Sequence, residues 1–114
     1  MKLSWSLNDT MLEEGHKAVR VLIFGRVQGV FFRDWTVKTA LSYELNGWVR
    51  NRTDGTVEAL MVGLEEAVDK MVKECWFGPP SAKVDEIKVS TAIGITKAGF
   101  EQKPTVNMNE SRSL

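Results

Sequence analysis

Val19, Val21 and Ile23 fall on one side of an alternating run from Ala18 to Phe24, with Leu22 and Phe24 on the other. That pattern predicts a strand with apolar character on both faces, as in the middle of a sheet. The alternation stops at Gly25. Residues 32–44 then suit a helix, with Val37, Ala40, Leu41 and Glu44 on one side. Leu45 to Arg52 predicts a second strand and Thr56 to Val62 a third, in which Val57, Ala59 and Met61 alternate. Thr53-Asp54-Gly55 between them predicts a hairpin turn, because Asp-Gly readily takes positive φ. After Gly63, residues Leu64, Ala67, Val68, Met71, Val72, Cys75 and Trp76 recur at helical spacing with charged residues between them. Acidic residues open this second helix, which suits its dipole, and Gly78-Pro79-Pro80 ends it. Lys83 to Ser90 predicts a fourth strand with an irregularity at Asp85-Glu86, and Gly99 to Lys103 a short last one.

The order β-α-β-β-α-β, closed by a small extra strand, is two split βαβ units. It predicts an α/β (α+β) sandwich of ferredoxin-like type, with two helices on one face of a four- or five-stranded antiparallel sheet. Residues 1–17 read as an N-terminal extension, 18–104 as the single folded domain, and 105–114 as a polar C-terminal tail.

Composition narrows the chemistry more than the fold. Of the 114 residues, 15 are Lys or Arg and 15 are Asp or Glu, so no global charge draws the chain to nucleic acid or an anionic membrane. Arg26, Arg33, Arg50 and Arg52 nevertheless form a local positive cluster. Cys75 is the sole cysteine and His16 the sole histidine, which leaves no intramolecular disulfide and no cysteine–histidine zinc site. The start of the chain lacks a long apolar core, and no apolar run approaches a membrane span. The expectation is a cytoplasmic, monomeric protein without cofactor or metal and without nucleic-acid or membrane partners.

The candidate chemistry lies in Gly25-Arg26-Val27-Gln28-Gly29-Val30-Phe31-Phe32-Arg33, with Asn51 following on the next strand. A glycine-punctuated strand-to-helix loop offers backbone amides, and a guanidinium at its end completes an anion cradle. An asparagine held nearby can orient a water. Together these point to hydrolysis of a phosphorylated small molecule. The loop lacks the Lys-Ser/Thr ending of nucleotide-binding P-loops, which disfavours ATP hydrolysis.

That loop, Gly47-Trp48-Val49-Arg50-Asn51, Asp54-Gly55-Thr56-Val57-Glu58, Gly63 and Gly78-Pro79-Pro80-Ser81-Ala82 together closely resemble the acylphosphatase family over roughly residues 18 to 103. The resemblance implies the same ferredoxin-like fold. It also implies metal-independent hydrolysis of a small-molecule acyl phosphate to a carboxylate and inorganic phosphate. By position it implies Arg33 as the phosphate-gripping arginine and Asn51 as the residue that positions the attacking water. It implies a phosphate loop built from the amides of Gln28, Gly29, Val30, Phe31, Phe32 and Arg33, with Gly25 and Gly29 letting it curl. Two positions depart from the family's pattern. Glu44 stands where a helix-ending glycine is common, and Phe31 stands where many relatives have glycine and others an aromatic residue.

Taken alone, Arg33 would read as a surface ion-pairing residue and Asn51 as a turn residue; their context reverses both. Arg50 and Arg52 alternate with Asn51 and are expected to face solvent. Trp35, Trp48 and Trp76 are expected to pack, and Cys75 to be an inert core thiol. A phosphate-binding module of the same fold without turnover is one alternative. An RNA-binding sheet is another, weakened because Thr56 to Val62 carries no aromatic residue.

Overall fold

The computed structural model describes residues 14–93 and 96–108. Its elements are β1 (His16–Arg26), α1 (Phe32–Ser42), β2 (Asn46–Asn51), β3 (Val57–Leu64), α2 (Glu65–Cys75), β4 (Lys83–Thr91) and β5 (Phe100–Gln102), in the expected order. The sheet order is β4-β1-β3-β2-β5. The β1–β3, β1–β4 and β2–β3 pairs are antiparallel. β5 lies parallel to β2, so the sheet is mixed rather than antiparallel throughout. The chain between β4 and β5 crosses from one edge of the sheet to the other, which frees β5 from hairpin geometry. No helix among the described residues is long and apolar enough to cross a membrane.

β1 starts at His16 because His16 and Lys17 pair with Leu64 and Gly63. The irregularity expected near Asp85 is a bulge: the register passes from Phe24↔Glu86 to Gly25↔Val84, leaving Asp85 as the extra residue. Gly25 sits opposite it. A Cβ there would lie 2.2 Å from the Lys83 carbonyl oxygen, so this glycine serves close approach to β4 more than loop curvature. At the other end, Val106 N–H donates to the Asn51 carbonyl and Thr53 N–H to that of Val106, tying residues 105–108 to the β2–β3 hairpin. Residues 1–13 of the expected extension and 109–114 of the expected tail lie outside the described residues.

Both helices cover one face. Val19, Val21 and Ile23 of β1 meet Val49, Val57, Ala59 and Met61 beneath Phe32, Ala40, Val68, Met71 and Cys75. Burial pushes the Cys75 thiol up to about 12, with the nearby Glu74 charge adding to it, which makes it the inert core thiol expected. The α1 stripe differs from expectation. Phe32, Thr36 and Ala40 are buried while Leu41 is exposed. Thr36 tolerates the core because its hydroxyl donates to the Phe32 carbonyl at 2.8 Å. Trp76, expected to pack, is also exposed.

On the opposite face, Ala18, Leu60 and Val62 form a small cluster with Trp48 and Ala92. Beside it the buried Glu58 accepts hydrogen bonds from Nε of Arg20 and Nε of Arg50. Burial pushes the Glu58 carboxyl up, but these hydrogen bonds and the two guanidinium charges outweigh it and hold the group below its ordinary value. Arg50 also lies over the Trp48 ring at 4.6 Å, and Arg52 bonds Asp54 at 3.0 Å. Neither arginine faces solvent as expected: the sheet's buried carboxylate and the hairpin's Asx turn each draw one in.

α1 ends in a Schellman motif. Leu45 N–H donates to the Ala40 carbonyl and Glu44 N–H to that of Leu41. Glu44 therefore sits at φ 59°, the left-handed position where the family's glycine is common. A side chain there costs about 1–2 kcal/mol, partly offset by glycine's extra freedom when unfolded. Glu44→Gly is expected to stabilise the domain by about 1 kcal/mol and raise Tm by about 4–8 °C in a thermal melt, with activity unchanged.

Candidate active site

The loop between β1 and α1 bends back on itself through left-handed residues. Gly29 (φ 76°) and Phe31 (φ 65°) have positive φ while Val30 and Phe32 do not. Alternation of this kind turns successive N–H groups toward one concavity, a nest that binds anions. The same amides open α1. Its N-cap residue, Phe31, makes no side-chain capping hydrogen bond, so the first-turn N–H groups remain for an external acceptor.

A cleft of about 270 Å³ opens over this loop, lined by Val27, Gln28, Gly29, Phe31, Phe32, Arg33, Asp34, Asn51 and Gln102. Arg33 and Asn51, distant in sequence, thus share one cleft. Arg33 is half-buried in the first turn of α1, and no carboxylate pairs with it among the described residues. Asp34 beside it turns to Lys38 on the same helix at 3.2 Å. Asn51 ends β2, and its Oδ1 is buried without a hydrogen-bond partner. A buried amide oxygen left unpaired costs about 1–3 kcal/mol.

Gln28 contributes through its side chain as well. Its Nε2 donates to the Arg52 carbonyl at 2.8 Å and to the Thr56 carbonyl at 2.9 Å. These carbonyls belong to the two arms of the hairpin that carries Asn51, so Gln28 fixes the β1–α1 loop against the asparagine's strand. The hairpin is itself held by Asp54, whose Oδ1 accepts the Thr56 N–H and hydroxyl. The Thr56 hydroxyl first of all, then Thr56 N–H and the Arg52 charge, lower the Asp54 carboxyl below its ordinary value against the opposing effect of burial. Val30, the remaining expected loop residue, turns its side chain into the core and does not line the cleft.

Gln102 and Asp34 line the cleft without having been anticipated. Asp34 is adjacent to Arg33 and could have been read from the helix start. Gln102 carried no signal, because its approach depends on β5 docking parallel to β2 at the Val49↔Gln102 pair.

A two-helix, five-stranded sandwich with an uncapped helix start, and with Arg33 and Asn51 lining one cleft beside it, defines a small α+β domain with a candidate anion site. The acylphosphatase family model matches residues 19–102. An acylphosphatase of Rhodospirillum rubrum is 52% identical over 90 residues, covering 79% of this chain and 99% of that protein. The structure of an acylphosphatase from Coxiella burnetii superposes with a TM-score of 0.78 at 31% identity, covering 82% of this chain and 99% of that one. Full-length HypF in a phosphate- and nucleotide-bound form matches with a TM-score of 0.75 at 30% identity, over 81% of this chain and 12% of that one. The chain belongs to the acylphosphatase family.

Proposed function

We propose that residues 18–104 hydrolyse small-molecule acyl phosphates by attack of an Asn51-positioned water on a phosphoryl group held by Arg33 and the amides of residues 28–33. Family membership supports the reaction class. The observation that carries the residue roles is that Asn51 and Arg33, which pairs with no carboxylate among the described residues, line one cleft with the uncapped loop.

Water enters beside Asn51, whose side-chain amide orients it with an oxygen lone pair toward phosphorus. The new P–O bond forms as the bond between phosphorus and the acyl oxygen breaks. Charge spread over the equatorial oxygens meets fixed amides and a guanidinium whose fork matches two of them. The departing carboxylate is stable as an anion near neutral pH, since such groups have pKa values of about 4, and needs no general acid. Both water protons finish on phosphate, so the acyl phosphate dianion and water give a carboxylate and dihydrogen phosphate with charge balanced. No step calls for a cofactor or metal. Among the described residues no group of three or more His, Cys, Asp or Glu is placed to hold a metal ion.

This reading takes the protein as a cytoplasmic monomer that uses neither nucleic acid nor membrane. Against an RNA-binding sheet, Arg50 and Lys103 both lie on the Trp48 ring, at 4.6 Å and 5.2 Å, where a base would stack. A phosphate-holding module without turnover is the second reading, favoured by likeness to part of the larger HypF chain. Hydrolysis of benzoyl phosphate in ¹⁸O-labelled water separates them. The proposal expects label in phosphate and none in benzoate. Label in benzoate, or phosphate binding without hydrolysis, overturns it.

A further inference from the structure

Phe31 bears two burdens that a loop residue ordinarily avoids. Its φ of 65° lies in the left-handed region that penalises a Cβ. The residue is 81% exposed, so little burial offsets that penalty. The backbone conformation is required, because alternation through Phe31 shapes the amide nest. The ring is not required for it, since glycine adopts the same conformation without strain. A large apolar side chain that is both strained and exposed is explained neither by folding nor by the cradle.

The ring's position supplies the explanation. Phe31 lines the same cleft as Arg33 and Asn51, alongside Val27 and Phe32. The phosphoryl group is fixed at the polar end of this cleft by the amides and the guanidinium. The acyl group bonded to it extends into the remaining space, where Phe31 offers an aromatic face. Resting on the acylphosphatase reading above, we infer that Phe31 is a specificity-determining residue that selects aromatic and other large apolar acyl groups over small ones. An aromatic acyl group gains burial and ring contact against Phe31, whereas an acetyl group is too short to cover it. The cleft keeps Phe31 at the expense of stability because its ring recognises substrate.

The test compares kcat/KM for benzoyl phosphate and acetyl phosphate in the wild type, Phe31→Gly and Phe31→Leu. Phe31→Leu keeps the Cβ and its strained backbone but removes the aromatic face. Phe31→Gly removes both and relieves the strain. The ratio of kcat/KM for benzoyl over acetyl phosphate is expected to fall about 5- to 10-fold in Phe31→Gly and by a smaller factor in Phe31→Leu. The loss should appear in KM for benzoyl phosphate, with Tm of Phe31→Gly equal to or above the wild type. An unchanged ratio in both variants, with the wild type active on both substrates, overturns this inference and leaves the proposed hydrolysis standing. A wild type that hydrolyses neither substrate overturns both.

Discussion

Arg33→Ala is expected to lower kcat/KM for a small acyl phosphate by about 1,000-fold or more. A single neutral donor to a developing oxyanion contributes about 100- to 1,000-fold. Arg33 is charged, forked and unopposed by any paired carboxylate among the described residues, so its contribution lies at or above the top of that range. The substrate phosphoryl group is already anionic, so both KM and kcat suffer. Arg33→Lys restores charge without the fork and should recover only part of the loss. Stability should barely move, because among the described residues the guanidinium makes no ion pair that folding would miss. Steady-state kinetics alongside a thermal melt reads both effects. A fall of less than about tenfold would remove Arg33 from the phosphate cradle.

Asn51→Ala is expected to cut kcat by about 100- to 1,000-fold with KM nearly unchanged. In the proposed mechanism the water oriented by Asn51 is not part of substrate binding, so the effect belongs to the chemical step. The structure adds a second expectation of opposite sign. Oδ1 of Asn51 is buried and unpaired, which costs about 1–3 kcal/mol in the absence of ligand. Alanine removes that unsatisfied group, and the variant should melt no lower than the wild type. A merely structural asparagine before the hairpin would behave the other way, losing Tm and keeping kcat.

The sequence made the fold legible where periodicity was strong. The alternation of Val19, Val21 and Ile23 and the α2 positions Val68, Met71 and Cys75 all enter the core as read. It misled where a polar residue replaced an apolar one in the buried stripe, as with Thr36, whose hydroxyl finds its partner four residues back. It was silent where placement depended on long-range docking. The parallel β5 beside β2, and with it Gln102 in the cleft, follows from the crossing of the sheet and not from local pattern. Arg50 and Arg52 were misread for a related reason. Alternation gives the side of the sheet but does not reveal that Glu58 is buried there or that Asp54 closes the turn.

At the site itself, loop spacing and the resemblance both pointed to Arg33, the loop amides and Asn51, and the structure brings Arg33 and Asn51 to one cleft. Two substitutions that stood out as departures acquire one physical meaning. Glu44 and Phe31 are the two non-glycine residues with positive φ among the described residues. At Glu44 the left-handed turn ends a helix, and the side chain brings strain alone. At Phe31 it bends the loop between β1 and α1, and the residue lines the cleft. Gln28 was read only as a loop amide; its side chain joins the cradle to the hairpin, a role visible only once Arg52 and Thr56 lie opposite.

Release of inorganic phosphate from benzoyl phosphate by the purified chain, in the presence of excess chelator, tests the central claim most directly. The account predicts steady catalytic release at a rate the chelator does not diminish. No release above the spontaneous rate, or release that the chelator abolishes, would contradict it.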